Sequence, residues 1–85
     1  MKIEFDKAKD DGNVAKHGIS LARTVDLKIL AFVEVEDAVH GETRYQAWGL
    51  IDGEHHSLVF TYRGDAVRPI SLRRAHQKEI DRHVP

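Results

Sequence analysis

Residues 40–75, HGETRYQAWGLIDGEHHSLVFTYRGDAVRPISLRRA, decide the fold. Asp52-Gly53 is the dipeptide of a type I′ hairpin, and a two-residue turn there sets Ile51 opposite Glu54, Ala47 opposite Leu58 and Tyr45 opposite Phe60. A second hairpin through Arg63 to Val67, with Tyr62 opposite Arg68, sets Phe60 against Ile70 and Leu58 against Leu72. This register gathers the apolar side chains on one face, whereas a slip of one residue scatters them over both. The other face then carries Arg44, Gln46, Trp48, Ser57, Val59, Thr61, Arg63, Pro69, Ser71 and Arg73. Pro69 lacks an N–H, so its strand needs an edge or a bulge there.

Working outward, Ile3 and Phe5 alternate with Lys2 and Glu4 as in a short first strand. Asp6 and Gly18 are suited to begin and end a first helix. Ser20 is then suited to cap a second helix, in which Leu21, Val25, Ile29 and Phe32 recur every three or four residues. A last helix follows Arg74, giving the order β-α-α-β-β-β-α. The expected fold is a single α+β domain over residues 1–85, an antiparallel sheet with its helices mainly on one face.

Composition narrows the function. The 85 residues are 41% hydrophobic with net charge −1, and no apolar run approaches the roughly 20 residues of a membrane helix. The charged opening MKIEFDKAKDD lacks the apolar segment of a signal peptide, so a cytoplasmic location is expected. With no cysteine there are no disulfides or thiolate metal sites. Charge is unevenly spread: Arg63, Arg68, Arg73, Arg74, Lys78 and Arg82 crowd the C-terminal part, and Glu34 to Asp37 is acidic. Arginines around polar strand positions suit a phosphodiester, because the planar guanidinium binds phosphate oxygens bidentately and stays charged.

Three motifs follow in order along the chain: FDKAKDDGNVAKHGIS (Phe5, Asp6, Lys9, Asn13, Lys16, His17, Gly18, Ser20), HGETRYQAWG (Gly41, Glu42, Arg44, Gly49) and FTYRGDAVRPISLRRA (Thr61, Arg63, Arg68, Ile70, Ser71, Arg73, Arg74, Ala75). In these the chain resembles the BrnT toxins, small ribonucleases with a RelE-like fold. Lys7, Gly12, Trp48 and Leu72 depart from the usual pattern. The resemblance implies an endoribonuclease that arrests translation and growth, and neutralisation by a BrnA-like antitoxin. Such an antitoxin has a ribbon-helix-helix domain, so DNA is reached only through it, in an assembly of two toxins and two antitoxins.

Metal-independent RNA cleavage requires a base for the 2′-hydroxyl, donors for the charge growing on phosphate, and an acid for the 5′-oxygen. Arg44, Arg63 and Arg73 share the polar face and are the first phosphate-binding candidates, with Arg68, Lys16 and Trp48 behind them. Arg68 projects to the apolar face in this register. His17, His40, Glu42 and Tyr62 are the acid–base candidates, and His17 leads because imidazole titrates near neutrality and lies at a helix C-terminus. Trp48 either stacks on a base or is covered by a partner or helix. His76, Glu79 and His83 form a helical stripe that solvent exposure explains, and neither metal nor cofactor is expected. The competing reading is a catalytically inactive module of the same fold that binds RNA or antitoxin.

Overall fold

The structure is a computed structural model that describes residues 2–37, 39 and 41–85; His40 lies outside the described residues. Its elements are β1 (Lys2–Ile3), α1 (Lys7–His17), a 3-10 turn (Leu21–Asp26), β2 (Lys28–Asp37), β3 (Glu42–Ile51), β4 (Glu54–Arg63), β5 (Ala66–Arg74) and α2 (Gln77–His83). They form one five-stranded sheet in the order β1-β5-β4-β3-β2, antiparallel except where β1 runs parallel to β5. The α+β class stands, and the expected element order changes in one place. The segment expected to continue the second helix is β2. Only Leu21–Asp26 is helical, and Val25, Ile29 and Phe32 are largely exposed instead of filling the core.

The first hairpin has the expected register, Ile51↔Glu54, Ala47↔Leu58 and Tyr45↔Phe60. Asp52 (φ 52°) and Gly53 (φ 76°) both take the positive φ that a type I′ turn requires. Arg23 ties this turn to the 3-10 segment, donating to Asp26 at 2.7 Å and to Asp52 at 2.8 Å. The second hairpin is tighter than expected. It pairs Arg63 with Ala66, Tyr62 with Val67, Thr61 with Arg68 and Phe60 with Pro69. An irregularity between Val59 and Phe60 leaves Ile70 as the extra residue and restores Leu58↔Leu72. The bulge beside Pro69 accommodates its missing N–H. It also moves Arg68 to the polar face and Pro69 to the apolar one.

Leu21, Ala47, Ile51, Leu58, Phe60, Val67 and Leu72 form the core, with Ile3, Phe5, Ile19, Leu27 and Tyr45 against it. Local signals seat α1 as anticipated: Asp6 accepts from the Lys9 N–H at 2.8 Å, and Gly18 closes the helix in left-handed conformation. Asn13 then joins α1 to β5. Its Nδ2 donates to the Leu72 and Ile19 carbonyls, both at 2.8 Å, and its Oδ1 accepts from the Leu72 N–H at 3.1 Å. The amide thus stands in for a neighbouring strand where β1 has ended. Asn13→Ala would leave buried backbone groups unpaired, each worth about 1–3 kcal/mol. A urea midpoint lowered by the equivalent of at least ~2 kcal/mol is the expected result.

Candidate active site

Alternation along β3, β4 and β5 brings Arg44, Gln46, Trp48, Ser57, Val59, Thr61, Arg63, Arg68, Ser71 and Arg73 to the face of the sheet opposite the core. Trp48, Ser57 and Arg73 make one cross-strand row, and Gln46 donates to the Ser57 hydroxyl at 2.9 Å. This face is not bare. α2 lies over part of it, so helices occupy both sides of the sheet, in contrast to the one-sided arrangement expected from the sequence.

Trp48 is only 2% exposed. Its indole stacks on the His83 ring with centroids 3.9 Å apart and planes within 7°, and its Nε1 donates to Glu79 at 3.4 Å. The buried indole is therefore part of the packing between sheet and α2 and offers no open platform to a base. Glu79 also accepts from Arg73 Nη2 at 2.6 and 3.2 Å. Burial pushes the Glu79 carboxyl up, but the Arg73 hydrogen bonds and charge, helped by Trp48 and His76, outweigh it and hold the group below the usual carboxylate range.

The sign of that shift gives a pH prediction. A carboxyl depressed in the folded state stabilises above its unfolded value and loses that contribution as pH falls through the folded one. Acidification below the ordinary glutamate value of about 4.3 is expected to release α2. Trp48 fluorescence should report the change, and Glu79→Gln should lack that acid step.

Arg44 Nη2 lies 3.3 Å from Glu42 Oε1, an ion pair at the end of the same face. Arg63, exposed at the end of β4, and Arg68, half-buried on β5, have no ion pair among the described residues. Four candidate arginines thus share a face, Arg68 among them. His17 and Lys16 do not join them. They sit at the end of α1, where His17 borders a depression with Ile51, His56 and Arg74 on the core side of the sheet, and both border a second one at the β5 edge with Asn13, Ile70 and Ser71, the last of which is on the arginine face. Tyr62 is on the core side too, opposite Val67. Glu79 and His83, read from the sequence as part of a solvent-facing stripe, instead pack against Arg73 and Trp48. Their i, i+4 spacing on α2 puts them on one helix face, a signal visible in the sequence; which way that face turns was not. Among the described residues no three His, Cys, Asp or Glu side chains converge as a metal site.

A compact sheet with a row of arginines, a carboxylate and an imidazole on one face fits a class of proteins acting on phosphodiesters. Residues 5–79 match the family model described as "Ribonuclease toxin, BrnT, of type II toxin-antitoxin system". The chain belongs to the BrnT family, the ribonuclease toxins of type II toxin–antitoxin systems. No curated protein and no solved structure matches it significantly.

Proposed function

We infer that this protein is a metal-independent endoribonuclease of the cytoplasm, the toxin of a toxin–antitoxin pair, and that cleavage takes place on the arginine face. The observation that carries the reading is the convergence of Arg73, Glu79, Trp48 and His83 on the face that also carries Arg44, because it sets phosphate donors and an imidazole on one surface. In the proposed reaction the ribose 2′-oxygen attacks phosphorus, the P–O5′ bond breaks, and a 2′,3′-cyclic phosphate and a 5′-hydroxyl result. Arg44 and Arg73, with Arg63 and Arg68 along the strand path, hold the phosphate oxygens as negative charge accumulates. His83 takes the proton of the 2′-hydroxyl as its oxygen attacks, and solvent water protonates the departing 5′-oxygen. Glu79, held ionised by Arg73, is a weak base and acts as a positioning residue, fixing the guanidinium and the indole beneath the imidazole; Glu42 does the same for Arg44.

Family membership supports a protein antitoxin, and the proposal takes it to be BrnA-like, in a complex of two toxins and two antitoxins. The RelE-like relationship belongs to the same proposal, supported by an antiparallel β2–β5 sheet flanked by N- and C-terminal helices.

Purified protein incubated with an RNA oligonucleotide in EDTA should yield fragments ending in cyclic or 3′-phosphate. His83→Asn should lower the cleavage rate about 10²–10⁴-fold, the usual size of a general acid–base contribution, and remove one limb of the pH–rate profile with RNA binding kept. RNA left intact by folded wild-type protein would refute cleavage, and binding without products would favour the inactive RNA-binding module.

A further inference from the structure

On the core side of the sheet, away from the arginines, a narrow apolar groove runs between the 3-10 turn and strands β2, β4 and β5. Thr24, Leu27, Ile29, Tyr62 and Val67 line it, over a floor that includes Phe60. Three observations say what fits there. First, its space is about 80 Å³, the share of only two or three water molecules at about 30 Å³ each and far below the ~300–1,000 Å³ of small-molecule sites. It accommodates one side-chain tip. Second, Thr24, 2% exposed at the groove wall, has a buried hydroxyl with no hydrogen-bond partner among the described residues. A buried polar atom left unpaired is uncommon, and an occupant carrying a polar atom beside its apolar anchor would satisfy it.

Third, the rim has a polarity. Tyr62 (57% exposed) lines the groove, braced edge-on against Tyr45 and Phe60, and Phe32 (64%) follows Ile29 on the same face of β2, opposite Ala47. Beyond Phe32 on the same face of β2 come Glu34 and Glu36, paired with Tyr45 and Thr43. Neither glutamate is engaged in an ion pair among the described residues. At about 3.3 Å per residue, the acidic pair begins some 7 Å past Phe32. β2 is the edge of the sheet, so approach along it is open.

We propose that this groove and the adjoining face of β2 are the docking surface of the antitoxin, which inserts an apolar side chain beside Thr24 and lays basic residues over Glu34 and Glu36. The proposal rests on the toxin–antitoxin reading. A second copy of this chain is a poorer occupant, since it would bring the same acidic residues to the contact. Because the groove and the arginines lie on opposite faces, binding here and cleavage there are separable by mutation.

The test uses full-length toxin and the product of the open reading frame adjoining its gene, with affinity measured by calorimetry and neutralisation by co-expression. Phe32→Glu should weaken binding at least 100-fold and let the toxin escape neutralisation, with RNA cleavage by the free protein unchanged. Glu34→Lys with Glu36→Lys should weaken binding at least 10-fold and flatten its salt dependence, and these exposed positions decide the matter should Phe32→Glu not fold. Affinity unchanged in the folded variants overturns the proposal. So does a wild-type dimer that Phe32→Glu dissociates with antitoxin binding intact, which would place a second copy on the groove. Failure of wild-type toxin to bind the adjoining product removes the toxin–antitoxin reading and the proposal together; wild-type binding that the groove variants keep at full strength removes the proposal alone.

Discussion

Arg73→Ala is expected to lower RNA cleavage by about 10²–10³-fold, the effect of deleting one donor aimed at developing charge, about 2.7–4 kcal/mol of transition-state stabilisation. Arg73 is the arginine of the proposed site that hydrogen-bonds α2. It lies in the Trp48–Ser57 row, its side chain is about a quarter exposed, and Glu79 fixes its fork at 2.6 Å. Low exposure raises the value of a fixed charge, because water screens it less. The same residue also holds α2, so a loss of activity alone would be ambiguous. Two further variants separate the roles. Arg73→Lys keeps the charge but not the planar fork and should show an intermediate loss, whereas Glu79→Gln weakens α2 docking yet leaves the guanidinium in place, so melting temperature should fall further than cleavage. Single-turnover kinetics on an oligonucleotide, with thermal unfolding in parallel, read both. Wild-type rates in a folded Arg73→Ala protein would move phosphate binding away from this row.

Trp48→Ala is expected to destabilise the protein by about 3–5 kcal/mol, the usual range for emptying a buried aromatic site. Domains of this size are stable by only about 5–15 kcal/mol. At about 4–8 °C per kcal/mol, the melting temperature should fall by at least ~12 °C. The reason is local: α2 has no buried residue of its own, and it is held to the sheet through the Trp48–His83 stack and the Glu79 carboxylate. Removing the indole therefore detaches the helix as well as leaving a cavity. Trp48→Phe, which keeps a ring for His83 to stack on, should retain most stability and cleavage. An indole acting as a base platform would instead show weaker RNA binding in Trp48→Phe with unchanged stability.

Local chemistry determined what the sequence by itself could settle. Asp52-Gly53 can satisfy a tight turn with both φ values positive, and the alternation on either side then leaves one register that keeps Tyr45, Ala47, Leu58 and Phe60 together. Asp6 and Gly18 bound α1 for equally local reasons, and three ordered motifs were enough to point to the family. Residues 28–37 misled because Leu21, Val25, Ile29 and Phe32 satisfy a helical period while Val33-Glu34-Val35-Glu36 satisfies a strand period. Pairing with β3 decided between them. Gly49 is part of that decision: a Cβ there would run into the Lys28 carbonyl, so only glycine lets β2 come this close.

Tertiary structure alone decided the faces. The single extra residue at Ile70 turned Arg68 toward the other arginines, and the end of α1 left His17 at the β5 edge, outside the Trp48–Ser57–Arg73 row. The return of α2 across Trp48 brought Glu79 and His83 to the arginine face. Hydrogen-bond geometry and turn chemistry act over a few neighbouring residues and can be read along the chain. The side to which a helix returns is settled by burial of a distant partner, here one indole on β3, and that information is written only in three dimensions.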